Sequence, residues 1–435
     1  MPLNSYLETE YRLRKNPFSG RATYAEDSQL LYVPEMFGPQ REEFLRKFIL
    51  APLENGQPLM GAVWSVVPGD PMARGFGKST LMGEEAKLIN RDFGRSTLML
   101  LGTSEEDARK NPILASYVSF NAKAHEGINN IDAAAFHLVR FLLRGTPDAT
   151  ANTHQRIREL AIGRLVQQGK APPGQETDAI VSAIKEKFRG LAVTIDVRNL
   201  LEDYLFHLAS PDTDTLEAFL SDSVSAWHHN RNGMKYLQVF VVFAEIAGIE
   251  HSTFFIDQIE DFTAQSGAAK IQKNVKIIRD ALLESEPFCS RASFIFQFHP
   301  SAYHRLRDAW AHEDLRDLSY DKPLNSPFVV VLKGLEKFES ALLLAERCLN
   351  HPAVVMPDRP QSVKPFTKSS LERVWQATKP RPRWYLRALH DLLSVGTAER
   401  VAVLDDAFVE PKLKGVLEDA VKETEAQGGD DERLS

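Results

Sequence analysis

The sequence predicts an α/β protein: helices cover both faces of a parallel sheet, an all-helical insertion splits that sheet in sequence, and a helical lid follows it. Three observations predict this. Short apolar, β-rich runs recur at 61–68, 252–256, 293–298 and 328–332, bounded by Gly, Pro or polar residues, as strands buried on both faces read. Helical patterns alternate with them, which suits the crossovers that parallel strands need. From about residue 129 to 234 the pattern is helical throughout.

Taken in order, residues 1–60 form a polar, aromatic-dotted N-terminal segment, with Asn16-Pro17-Phe18 as a turn and 40–50 as a short amphipathic helix. The first part of the core, 61–128, opens with the strand 61–68. A Gly-rich turn follows, then a helix at 79–90 with Leu81, Ala86 and Leu88 on its apolar side. Residues 97–101 (TLMLL) give a second expected strand. The insertion, 129–235, carries helical patterns at 133–143, 154–168, 177–189, 197–209 and 215–229. Breaks such as Ala171-Pro172-Pro173-Gly174 and Ser210-Pro211-Asp212 separate them. The core resumes over 236–360, where one strand ends at Asp257 and another at His299-Pro300, and a helix at 338–349 follows the last strand. Residues 361–422 read as the lid, and 423–435 as a charged, flexible tail.

A chain of 435 residues is long enough for two or three domains. With 43% hydrophobic and 26% charged residues it has the balance of an ordinary globular protein. Its net charge of −7 gives no global nucleic-acid signature, although a local basic patch is compatible with it. Cys289 and Cys348 are its two cysteines, too few for a disulfide framework and without zinc-ligand spacing. A reducing, cytoplasmic setting is expected. The first fourteen residues carry both charge signs and no signal-peptide core, and the apolar run 239–249 is short and broken by Glu245. No membrane partner is expected.

The turn after the first strand reads Gly75-Phe76-Gly77-Lys78-Ser79-Thr80. A nucleoside triphosphate presents closely spaced anionic oxygens, which backbone N–H groups of a Gly-rich loop at a helix N-terminus satisfy. Lys78 would reach the β- and γ-phosphates, and the Ser79 hydroxyl would ligate Mg²⁺. The strict pattern G-x-x-x-x-G-K-[ST] wants glycine at position 72, where this chain has Met72; the nearest upstream glycine is Gly69. Downstream, Asp257 closes the strand Phe254-Phe255-Ile256, and Glu260 lies three residues on. A carboxylate at a buried strand's end can hold Mg²⁺ through water, and Glu260 could polarise the attacking water. Without the loop upstream, the same acids would read equally well as an ordinary helix start. ATP and Mg²⁺ are therefore the expected cofactors, with Lys78, Asp257 and Glu260 as the catalytic candidates.

Arg74 to Thr80 resembles the RGxGKST loop of AAA+ ATPases near the origin-recognition and STAND branches. Phe254 to Phe262 is similar to their acidic strand, and Pro382-Arg383-Trp384-Tyr385-Leu386-Arg387-Ala388-Leu389 to the PRxxLxxL helix of their lid. The resemblance covers about 60–105 and 250–400. It implies a P-loop NTPase fold, nucleotide contacts from Arg74, Gly75, Phe76, Gly77, Lys78, Ser79 and Thr80, and a sensor-2 role for Arg383 at the γ-phosphate. It places sensor 1 at the end of the strand 293–298, on Gln297 or His299. It also implies an arginine finger from a neighbouring subunit; Arg305, Arg307 and Arg316 lie in the right interval, with nothing to select among them.

Other features read plainly. His228-His229 and His299/His304 lack a third metal ligand at fitting spacing. The basic stretch 364–383, with Trp375 and Trp384 interleaved, could meet nucleic acid, but a solvated lid helix is the preferred reading. No Asn-Lys-x-Asp guanine reader is present. The expected function is that of an AAA+-like ATPase, as homo-oligomer or as subunit of a multiprotein complex, which remodels or loads that complex on DNA. The alternative is a STAND-type nucleotide-gated assembly switch with slow turnover, as in bacterial defence or signalling. A more distant alternative is a scaffold that binds nucleotide without hydrolysing it.

Overall fold

The computed structural model describes residues 3–18, 32–56, 59–66, 75–120, 130–144, 151–188, 195–225, 232–259, 267–284, 286, 288–298, 300–319 and 326–418. Five strands run in the order β2-β3-β4-β1-β5: β1 Met60–Ser65, β2 Ile113–Ser119, β3 His251–Asp257, β4 Ala292–Gln297 and β5 Val329–Leu332. The sheet is parallel. β2 pairs with β3 from Ile113↔His251 to Ser119↔Asp257, β3 with β4 up to Ile256↔Phe296, and β4 with β1 up to Val63↔Gln297. The α/β architecture is the one the sequence predicts.

The helices used below are α1 Pro39–Leu45, α2 Lys78–Arg91, α3 Arg95–Leu100, α4 Ile131–Leu143, α5 Thr153–Gln167, α6 Glu176–Phe188, α7 Ile195–Ala209, α8 Thr213–Ser225, α9 Gly233–Ala247, α10 Ala268–Arg279, α11 Pro300–His312, α12 Phe338–Leu349, α13 Lys368–Thr378 and α14 Pro382–Glu399. Helices α4 to α8 lie between β2 and β3, where the helical spacing predicts them.

The expectation of a strand at 97–101 is overturned. Those residues fall in α3 and the turn after it: Thr97 and Leu98 are buried, while Met99 and Leu100 are 44% and 60% exposed. One buried pair followed by one exposed pair is a helical turn's pattern, not the alternation or continuous burial of a strand. The strand between α2 and β3 is instead β2, ILASYVS, buried at all but its last residue. Its buried serine is satisfied inside the protein, since Ser116 Oγ donates to the Leu138 carbonyl of α4.

The chain divides into two compact units: Met1–Arg41, Ser65–Leu81 and Val331–Ser435 form the first, and Glu42–Trp64 with Met82–Val330 the second. The core of the second unit is aromatic. Phe44 stacks on Phe255 at 5.4 Å between centroids, and Trp64, Phe298, Tyr303, Phe296 and Trp310 form one aromatic cluster that mixes edge-to-face, tilted and stacked pairs, a geometry that adds to plain area burial. β3 is buried at every residue. α9 is buried almost all round, as a helix apolar on every face must be. It receives Phe136 of α4 through Tyr236 (5.1 Å) and His154 of α5 through Phe243 (5.7 Å).

In the first unit α13 opens with a capping box, in which Thr367 accepts from the Ser370 N–H and Ser370 Oγ from the Thr367 N–H. Trp375 is buried, and its Nε1 donates to the Leu335 carbonyl at 2.8 Å. Tied inside the unit in this way, Trp375 is no base-stacking platform. The turn at Asn16-Pro17-Phe18 is held there too: Asn16 Nδ2 donates to the His390 carbonyl at 3.0 Å, and Phe18 packs edge-on to Phe366.

Among the described residues no helix is long and apolar enough to cross a membrane. The flexible-tail expectation for 423–435 lies outside the described residues.

Candidate functional site

The strand order singles out one place on the sheet. From β1 the chain crosses to the far edge at β2, then returns through β3 and β4, and finally passes beyond β1 to β5. Right-handed crossovers running in opposite directions leave the sheet on opposite faces. The reversal falls between β1 and β4, and ligands of open parallel sheets bind at the carboxyl ends of such a pair. β1 is the strand that leads into the Gly-Lys-Ser sequence, and Gln297 closes β4 as the partner of Val63.

Within the first unit, Gly75 and Gly77 adopt φ of +84° and +82°, the left-handed region in which a side chain is strained. Space is short as well: a Cβ on Gly77 would come within 3.1 Å of the Phe37 ring, and one on Gly75 within 2.9 Å of Arg383 Cβ. Phe76 between them is buried. Lys78 begins α2 at 6% exposure and donates from Nζ to Ser65 Oγ at 2.6 Å, so its ammonium bridges the strand's last residue and the helix's first. Ser79 and Thr80 occupy the first turn, half-buried, and the Leu81 N–H bonds back to the Gly77 carbonyl at 2.8 Å. The N–H groups of that first turn are the donors a helix start leaves for an anion.

Arg383 is brought directly to this loop. Its backbone N–H donates to the Gly75 carbonyl at 3.1 Å, and Leu335 N–H donates to Pro380 O at 2.8 Å. Pro382 occupies the first turn of α14, where a missing N–H costs nothing. Gly334, at φ +70°, closes the same knot, since a Cβ there would strike Pro380 O at 2.1 Å and touch the Phe76 ring at 3.1 Å. Sequence reasoning missed Phe37, Gly334 and Pro380. The Gly334–Leu335 step after β5 is the one visible sign that a backbone approaches there.

Within the second unit, Asp257 and Gln297 stand at the carboxyl ends of adjacent strands, one register step beyond the Ile256↔Phe296 pair. They are 1% and 6% exposed. Tyr117 Oη donates to Asp257 Oδ2 at 2.6 Å, an interaction the sequence did not announce. Gln258, immediately after, has φ +55° and accepts from Ser119 Oγ at 2.9 Å, while Phe120 N–H donates to the Asp257 carbonyl at 3.0 Å. Arg74, Glu260 and His299 lie outside the described residues, so Gln297 is the sensor-1 candidate whose position is seen.

The remaining candidates sort by surroundings. The guanidinium of Arg316 lies 3.4 Å from the centre of the Phe328 ring, and burial lowers its pKa. Engaged in this way it is a poor choice for a finger reaching another subunit, whereas Arg307 is exposed. The side chain of Arg305 is outside the described residues, as are His228, His229 and the side chain of His304. Two buried histidines elsewhere are structural. His154 Nε2 bonds to the Leu208 carbonyl and His251 Nε2 to Ser293 Oγ, both at 2.8 Å, and burial holds both rings down at about 4. Among the described residues no three His, Cys, Asp or Glu side chains cluster to hold a metal.

The donor types fit the expected groups. Two positive-φ glycines, a helix start and a buried lysine suit a polyphosphate, while a serine hydroxyl and a buried carboxylate are the hard oxygen donors that Mg²⁺ takes when substrate phosphates supply the rest. No protein-family model matches the chain, and neither does any curated protein. Among solved structures it is similar to the Aeropyrum pernix ORC2 protein in its ADPNP–ADP complexes, at 11% identity and a TM-score of 0.41, over 88% of this chain and 71% of that one.

Proposed function

We propose that the chain is an ATP-binding, AAA+-like ATPase that couples hydrolysis to the remodelling or loading of a larger complex on DNA. The observation that carries the reading is the loop of the first unit: Gly75 and Gly77 at positive φ, Lys78 tied to Ser65 at the head of α2, and the backbone of Arg383 on Gly75. In this reading 61–128 and 236–360 are the ATPase core, 129–235 the insertion and 361–422 the lid. The protein works as a homo-oligomer or within a multiprotein assembly.

The chemistry is electrostatic positioning. Backbone N–H groups from Gly75 to Thr80 hold the phosphate oxygens, and Lys78 exchanges its Ser65 contact for the β- and γ-phosphates. Ser79 and, through water, Asp257 would hold Mg²⁺, which would supply charge neutralisation at the phosphates. Glu260 orients the attacking water and takes its proton. Gln297 and Arg383 read the γ-phosphate, and Arg74 flanks the loop.

A second reading draws on the backbone bond between Arg383 and Gly75. A lid joined to the loop by its main chain is suited to retaining product, as in a nucleotide-gated assembly switch of slow turnover. Isothermal titration of ATP into the parent and Lys78→Ala tests the shared premise. The variant should bind at least tenfold more weakly, and equal affinity would refute nucleotide binding at this loop. Turnover stimulated by duplex DNA and lost in Glu260→Gln supports the ATPase, whereas tight ADP retention with partner-triggered assembly supports the switch.

A further inference from the structure

The end of β2 grips the end of β3 at three successive points. Tyr117 and Ser119, two residues apart and so on one face of the strand, reach the side chains of Asp257 and Gln258, and the Phe120 N–H takes the Asp257 carbonyl. Tyr117 is 7% exposed, and Phe141 meets its ring edge-on at 6.2 Å, so the phenol is itself held. A carboxylate turns easily about its last torsion. A 2.6 Å bond from a fixed phenol to Oδ2 sets the plane of that carboxylate, and hence the directions in which its lone pairs point. The Ser119 bond acts one residue further on. Gln258 sits at φ +55°, a backbone state that a non-glycine residue keeps only when its surroundings enforce it. Together the three bonds fix both the acid and the direction in which the chain leaves the strand.

We propose that Tyr117 is a positioning residue for the metal-holding Asp257, and that Ser119 supports it by holding Gln258. The inference rests on the ATP reading above. Groups that orient a direct metal ligand from behind govern metal affinity by about 10- to 100-fold without touching the ion; Asp257 would reach the ion through water, so the share passed on by Tyr117 is smaller. The effect should therefore appear in metal binding and not in metal-free nucleotide binding.

The test uses the full chain. ATP affinity is measured in EDTA, and Mn²⁺ affinity in the presence of ATP is read by electron paramagnetic resonance. Tyr117→Phe keeps the ring and removes the donor. It should leave metal-free ATP affinity within about twofold and weaken Mn²⁺ severalfold, and 3-fluorotyrosine at position 117 should restore it. Ser119→Ala, which leaves the Tyr117 bond in place, should weaken Mn²⁺ severalfold at an unchanged metal-free affinity, and it carries the test alone if the Phe variant does not fold. Unchanged Mn²⁺ affinity overturns the proposal, as does a loss shared by metal-free ATP binding or one that 3-fluorotyrosine fails to rescue. A parent chain that binds no ATP removes the functional reading itself and the inference with it.

Discussion

Asp132 in the first turn of α4 shows how one side chain can join two helices at an energetic cost. Its Oδ1 accepts the Met234 N–H at 2.9 Å, heading α9, yet burial raises its pKa to about 6 against the pull of that bond and of Lys273 and Lys235. The folded state therefore holds a proton that the unfolded chain releases above about 4. Its contribution to stability grows as pH falls from about 6 to 4, by on the order of 1 kcal/mol per unit. Buried His154 and His251, held at about 4, act in the opposite direction, because the unfolded chain binds their protons first as pH falls below about 6.5. The parent's own curve mixes both effects, and the comparison with Asp132→Asn isolates one. The variant keeps an acceptor for Met234, so its stability relative to the parent should be higher at pH 7 than at pH 4.5 by about 1–2 kcal/mol in urea unfolding; a difference that does not vary with pH would refute the assignment. At this same scale the candidate site was legible where a residue's chemistry is local. Gly75, Gly77 and Lys78 form one turn, because a Gly-rich stretch before a helix carries its geometry in its own sequence; Arg383, far along the chain, was pointed to by the family resemblance alone, and its N–H meets Gly75. Tyr117 was not legible: its partner lies 140 residues away, and a tyrosine in a strand looks like core.

Elements were legible in proportion to their length and pattern. The helices of the insertion begin within two residues of the positions their spacing predicts, and α12 runs over 338–349 as expected. Each has enough turns for apolar periodicity to accumulate. The runs 252–256 and 293–298 were also plain, because Phe, Ile and Thr crowd there. β2 was hidden by its composition. Ala115, Ser116 and Ser119 dilute the apolar signal, although Ser116 is buried by virtue of its bond to α4. Residues 97–101 misled for the converse reason, since four apolar residues after a threonine are too few for a period to show. α5 offers a test confined to the insertion. Asn152 and Gln155 form a full capping box at its start, each side chain accepting from the other's backbone N–H at 2.9–3.0 Å. Asn152→Ala should lower unfolding stability by about 1 kcal/mol and leave ATP affinity within twofold. An unchanged urea midpoint would mean that α5 is held by packing through Ile157, Ala161 and Leu165 alone.

At the scale of the whole molecule the sequence foretold alternating strands and helices but not the order β2-β3-β4-β1-β5. Pairing across hundreds of residues leaves no mark on either strand beyond apolarity, so the reversal beside β1 could be read only from the fold. The division into two units, with 65–81 belonging to the first and most of the sheet to the second, is likewise a matter of long-range packing. Ligand linkage offers a measurement on the entire chain that needs no knowledge of its client. A nucleotide that binds only the folded protein stabilises it by about 2.7 kcal/mol at one hundred times its dissociation constant. If all 435 residues unfolded together, the usual unfolding entropy per residue would turn this into a rise of about 3 °C in thermal midpoint, and into more if a smaller unit unfolds by itself. ATP with Mg²⁺ should therefore raise the midpoint of the parent by several degrees. Lys78→Ala should erase the rise while leaving the nucleotide-free midpoint close to that of the parent, since its buried ammonium gives up its bond to Ser65 but also its cost of burial. A parent midpoint indifferent to saturating Mg²⁺-ATP would reject the nucleotide reading, and a Lys78→Ala midpoint that still climbs would move the binding site away from Gly75–Thr80.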